Sequence, residues 1–259
     1  MADVIGAVID GGAAQSDSVY FQRADSLFTR AYTLATGKGN TSVANAALAG
    51  RASIRAWLGN WTGAVTDAAL VPNNFVFNAI YGIGTARENL YMADQTITRR
   101  EVTVWGTSWA GSYKDPRFPW DTVKTGTTIT KGQDGKTNFF RQTKYIALGS
   151  SVPLVKGAEM LVLRAEAALR NGDIAGMTAL LNAARAQYTG LAVLAPPATT
   201  AAAWTLLQTE RGAVTWLEAR RLWDMRRWYV AGTSTFLTGR NKCVPISDNE
   251  TASNPNLRP

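Results

Sequence analysis

Histidine is absent from this 259-residue chain, and that removes a large part of the enzyme repertoire. Neither a Ser–His or Cys–His nucleophile nor a His-ligated metal can be built without it. The single cysteine, Cys243, excludes an intrachain disulfide and any paired-cysteine zinc or redox site. Carboxylates, lysines, arginines, hydroxyls, amides and rings remain. Two carboxylates suffice for glycoside hydrolysis. The candidates are Glu159 and Glu166, on one face of a helix, and Glu210, Glu218 and Asp224 on a later one. Arg221 lies three residues beyond Glu218 and Asp224 four beyond Arg220, a spacing that forms ion pairs along a helix. These carboxylates are therefore read as ion-pair partners, and no catalytic residue is assigned. Gly135-Lys136-Thr137 ends like a phosphate loop, but Thr130 stands where the earlier glycine is required. No cofactor and no metal site is expected.

The aromatic residues are more informative. Trp105, Trp109, Tyr113, Phe118 and Trp120 crowd together with Gly106, Gly111, Thr107, Ser108 and Ser112. Sugars present flat C–H faces that stack on rings, and peptides use the same kind of surface. Trp105, Trp109, Tyr113 and Trp120 are the candidate ligand-binding residues. The competing reading is that the rings cover a helical core. Trp216 and Trp223, seven apart on the last long helix, share a face and are expected in the core.

These rings need a frame. Over 18–36, Phe21, Ala24, Phe28, Ala31 and Ala35 recur at helical spacing, with Asp17 or Ser16 to cap the start and Gly37 to end it. Helices are expected at 42–58, 61–70, 153–170, 173–188 and near 201–230. Residues 75–150 lack that periodicity and are rich in Gly, Thr, Asn and rings. Short strands are expected there at Glu101–Trp105, Thr127–Thr130 and Phe139–Tyr145, the last two joined through Asp134-Gly135. Two segments repeat without gaps, RASIRAWLGNWTGA from Arg51 and RAEAALRNGDIAGM from Arg164. They align Gly59 with Gly172, Trp61 with Ile174 and Gly63 with Gly176. A helix with small residues, a Gly turn and a second helix is the logic of tetratricopeptide repeats. The expectation is a mostly α fold of tetratricopeptide-like helix pairs with an irregular loop and short-strand insertion. It forms one domain: a first helical repeat region at 18–72, the insertion at 75–150, a second repeat region at 153–230 and an irregular tail at 231–259.

The formal net charge is +8, from 27 Lys and Arg against 19 Asp and Glu. The densest basic runs, Arg99-Arg100, Arg220-Arg221 and Arg226-Arg227, each have carboxylates close by, and no long basic stripe appears, so nucleic-acid binding is not expected. No apolar stretch approaches the roughly 20 residues of a membrane-spanning helix. The opening residues have no basic region and carry Asp3 and Asp10 within their apolar part. They do not read as a signal peptide, and no lipid-attachment cysteine lies near them. The chain is expected to be cytoplasmic or a portion of something longer.

One resemblance draws these features together. ERGAVTWLEARRLWDMRRW, residues 210–228, resembles the late helix of the SusD/RagB family of outer-membrane nutrient-binding proteins. Val244-Pro245-Ile246, Glu250 and Asn254-Pro255-Asn256-Leu257 resemble that family's closing segment. Asp115-Pro116-Arg117 matches a short element of its middle, and EMLVLRAEA from Glu159 resembles the helix before its late repeat. Gly212-Ala213 stands where the family usually has charged residues. The resemblance implies a SusD-like α-superhelical fold without catalysis. It implies a place on the outer face of the outer membrane, over a TonB-dependent, SusC-like transporter. There the protein captures oligosaccharides, or peptides in some branches, and delivers them inward. A repeat scaffold that binds only protein partners is the alternative. Family members are usually longer and begin with a lipoprotein signal and further N-terminal helices, so this chain looks like the later part of such a protein or a short member.

Overall fold

A computed structural model describes residues 16–84, 86–90, 94–111, 115–242 and 252–253. Tyr113, Cys243 and the tail motifs at 244–246, 250 and 254–257 lie outside the described residues.

Three helices come first: α1 (Asp17–Gly37), α2 (Thr41–Trp57) and α3 (Trp61–Leu70). Ser16 caps α1 by accepting from the Ser18 amide. The chain then pairs β1 (Val76–Ala79) with β6 (Val152–Lys156), antiparallel, with a bulge between Phe77 and Asn78. Between these strands lies the irregular excursion. It holds a single π-helical turn (Asp94–Thr98) and short strands β2 (Trp120–Thr122), β3 (Lys124–Thr125), β4 (Thr128–Ile129) and β5 (Phe140–Gln142). Then follow α4 (Gly157–Arg170), α5 (Ile174–Arg185), α6 (Thr200–Val214) and α7 (Arg221–Val230).

The repeat is real down to its hydrogen bonds. Gly59 and Gly172 both take left-handed backbone, at φ 80° and 81°. Asn60 and Asp173 follow them, and their side chains accept from the Gly63 and Gly176 amides at 3.0 and 2.7 Å. A third copy joins α1 to α2, where Gly39 (φ 67°) precedes Asn40, which caps the Val43 amide at 3.1 Å. Left-handed backbone suits glycine because it has no Cβ to clash, and an oxygen-bearing cap satisfies a free helix amide. Three turns therefore share one geometry.

The core follows from α4, whose side chains are nearly all buried. Met160 and Leu163 join Leu48, Ala52, Ala64 and Val155 in one cluster. Leu161, Val162, Ala165 and Leu169 join Met177, Leu181 and Leu207 in another. Alanines on α2 lie flush with their neighbours, with Ala49 and Ala52 fully excluded from solvent. Small residues at such seams let helix backbones approach closely.

Four local expectations are corrected. The helix expected from 153 begins at Gly157, because Val152–Lys156 extends to pair with β1. The helix expected over 201–230 is two helices separated by a loop, since Leu217 and Ala219 both take left-handed φ, at 57° and 58°. The strand expected at Glu101–Trp105 does not form, although the Val104 amide donates to the Phe140 carbonyl at 2.9 Å. Asp134-Gly135 does make its turn, closed by the Lys131–Asn138 bridge, but β4 pairs with β3 and β5 with β2.

Candidate functional site

Buried ion pairs tie the excursion to the helical frame. Arg117, from the Asp-Pro-Arg element, is 4% exposed and chelates Asp115, with Nη2 to Oδ2 at 2.7 Å. The same guanidinium donates to Glu210 on α6, and Arg185 on α5 donates to Glu210 at 2.7 Å. Burial tends to discharge Arg117, but its bonds to Asp115 and Glu210 outweigh this and raise its pKa. A second network runs through the frame. Arg211 bonds Asp224 at 2.8 Å and Glu159 at 3.1 Å, while Arg227 bonds Glu166 at 2.7 Å and Asp224 at 2.9 Å. Glu159, Glu166 and Asp224 are each at most 1% exposed. The carboxylates are ion-pair partners as expected, but not those that helical spacing suggested. Glu218 meets Lys144 and Lys156 instead of Arg221, and Arg220 meets Glu159 instead of Asp224.

The loop between α6 and α7 forms one wall of a groove of about 700 Å³. Glu218 anchors it from below, accepting from Lys144 and Lys156, each at 2.6 Å. The two lysines also donate to the Trp216 and Val214 carbonyls, which ends α6 there. Burial, with the neighbouring Lys156 charge, pushes the Lys144 ammonium below its usual range despite its bond to Glu218. Two non-glycine residues in left-handed backbone on either side of Glu218 store strain that these contacts hold in place.

The expected rings separate. Trp109 lines the groove and packs on Phe118 at 4.8 Å. Its indole also lies over Gly212, where a Cβ would meet the ring at 3.0 Å. That contact favours glycine at this position. Trp105 is 45% exposed and stands edge-on to Phe140 at 4.8 Å. Trp120 stacks flat on the same ring, 5.0 Å from Phe140 with planes 4° apart, and lines a separate hollow of about 280 Å³ beside Asp115 and Pro119. Tyr113 lies outside the described residues. Val104, Phe118, Phe140, Ala213 and Trp216 form the small core beneath. Trp216 is thus buried as expected, though in the loop after α6, while Trp223 lies on α7, is only half-buried, contrary to the expectation, and packs on Phe21 and Trp57 at 5.2 and 5.9 Å.

Sequence reasoning missed the α6–α7 loop as a groove wall, together with Thr103, Gln142 and Arg221 along it. Nothing local marks Leu217 or Ala219 as left-handed, so no sequence signal pointed there. Among the described residues, no group of three or more His, Cys, Asp or Glu side chains could hold a metal ion, and no helix is long and apolar enough to cross a membrane.

Residues 86–254 match the model of the SusD family. A SusD-like carbohydrate binding protein from Bacteroides fragilis superposes with a TM-score of 0.62 at 15% identity, over 95% of this chain and 72% of its own. A SusD superfamily protein from Bacteroides vulgatus gives 0.51 at 16% identity, over 82% of this chain and 61% of its own. Another SusD-like protein from B. fragilis gives 0.50 at 15% identity, over 73% and 55%. The chain thus spans little more than half the length of the last two. No curated protein matches it significantly.

Proposed function

We propose, from the premise that this chain belongs to the SusD family, that it is a non-catalytic binding protein that captures oligosaccharides at the cell surface. It then hands them to a TonB-dependent, SusC-like transporter in the outer membrane, where a lipid anchor of the whole protein holds it. The observation that supports this reading is Trp109 in the wall of a groove of about 700 Å³, with the Trp105 indole, four residues earlier in the chain, exposed outside it. Rings offered to solvent on a braced support suit the C–H faces of sugars, and each stacked ring adds on the order of 1 kcal/mol beyond its buried area. Several weak contacts then sum along a chain of sugars, which suits capture followed by release. The buried carboxylates Glu159, Glu166, Glu210, Glu218 and Asp224 are each bonded to a cation, which supports a binding role over acid catalysis.

The test is glycan-array and calorimetric binding of the protein and its Trp105→Ala and Trp109→Ala variants. The expected result is binding of oligosaccharides, weakened about fivefold or more by each variant, with the Trp105→Ala melting temperature unchanged. Normal glycan binding by both variants would show that the platform lies elsewhere. Binding of peptides alone would favour the peptide branch, and transporter co-purification without either ligand would favour a protein-only scaffold.

A further inference from the structure

The charges around the groove are unequal. Glu218 is outnumbered by Lys144 and Lys156. Glu159 is shared between Arg211 and Arg220. Two arginines line the groove, and they differ. Arg220 is committed to Glu159 and to the Leu154 and Glu218 carbonyls. Arg221 has no carboxylate partner among the described residues; it donates a long bond of 3.3 Å to the Gln208 carbonyl and lies 5.8 Å from the centre of the Trp228 ring. The acid nearest in sequence, Asp224, has given both oxygens to Arg211 and Arg227.

Position makes this cation useful. A Cβ placed on Gly212 would lie 3.0 Å from the Trp109 ring and 3.1 Å from Arg221 Nη1. The edge of the Trp109 ring and a guanidinium without a carboxylate partner therefore stand side by side on one patch of backbone. Arg221 is exposed, so a ligand lying in the groove can reach its guanidinium. A guanidinium binds carboxylates in a planar, two-pronged geometry and binds neutral hydroxyls more weakly.

Building on the proposed glycan-binding role, we infer that the groove selects a carboxylate-bearing saccharide, a uronate sugar whose ring stacks on Trp109 while its carboxylate bonds Arg221. A neutral sugar would occupy the same ring but leave the guanidinium unpaired. A sulfated or phosphorylated sugar presents oxygens that the same fork also binds, so the experiment must separate these anions from the uronate.

The experiment uses an array that carries uronate oligosaccharides, the same oligosaccharides with carboxyls reduced to alcohols, neutral and sulfated glycans, and acidic peptides. It is probed with the wild type, Arg221→Gln and Arg221→Lys. The expected result is binding of uronate glycans that falls about tenfold or more on carboxyl reduction and in Arg221→Gln. Arg221→Lys should recover part of the loss, and raised salt should weaken the wild type most. Arg221 is exposed and holds one long backbone bond and a distant ring contact with Trp228, so melting temperatures should stay within a degree or two of wild type, about what a surface change costs. Equal binding of uronate and reduced glycans, or no effect of Arg221→Gln, overturns the carboxylate assignment while leaving glycan capture standing. A preference for sulfated glycans or acidic peptides also overturns it. Absence of binding to every glycan overturns both this inference and the role on which it rests.

Discussion

Asp224→Asn would strip one charge from the buried network while keeping its shape. Asp224 is 1% exposed, and its oxygens accept from Arg211 Nε at 2.8 Å and Arg227 Nη1 at 2.9 Å. Asparagine can keep one of these bonds, but its amide NH2 then faces the other guanidinium, donor against donor. A bond to a charged group is worth about 1.5–3 kcal/mol. Arg211, 1% exposed, is left with Glu159 alone to offset its charge. Breaking a buried pair costs about 3–5 kcal/mol in total. For a chain of this size that lowers the melting temperature by about 10 °C. The control is Asp17→Asn, which removes the 3.1 Å pair with Arg226, where both side chains are at least 25% exposed. It should cost less than about 1 kcal/mol. Acid supplies a second readout. Burial alone would raise the pKa of Asp224, but Arg211 and Arg227 outweigh it and hold the carboxyl below its usual range. Glu166 is lowered in the same way, mainly by Arg227. The unfolded chain therefore takes up protons first as pH falls. The stability from these groups is complete above the unfolded values of about 4 and drains away as pH drops through the lower folded ones. Urea titrations from pH 7 to pH 3 should show a steep acid loss in the wild type and a shallower one in Asp224→Asn. If Asp224→Asn is as stable as Asp17→Asn at pH 7, the network does not hold the frame as argued.

Two further substitutions probe the backbone. Gly157→Ala would put a Cβ 2.2 Å from the Pro72 carbonyl oxygen and 2.3 Å from that of Asn73, where β6 turns into α4. It should cost about 3 kcal/mol or more by urea titration, whereas Gly37→Ala, with nothing within 4 Å, should be neutral or slightly stabilising. Ala219→Gly should relieve its left-handed strain and raise stability by up to about 1 kcal/mol, since the gain exceeds the entropy glycine adds to the unfolded chain. A measured loss there would mean that the loop is not strained.

The amino-acid sequence alone determined what acts over short range. The repeat turns could be read from Gly59-Asn60 and Gly172-Asp173, because φ and a helix cap depend on one or two residues. Helix faces, the irregular excursion and the family resemblance were legible for the same reason, since periodicity and composition are local. Tertiary structure alone decided the partners. The spacing of Glu218 and Arg221 suggested a pair, but two lysines from distant segments took Glu218, ended α6 and opened a groove wall where a continuous helix was expected. The same packing spread the candidate indoles over an exposed edge, a groove and a separate hollow. A charge binds whichever opposite charge the fold brings within reach, and a ring faces whatever its neighbours leave uncovered. Neither is fixed by position along the chain.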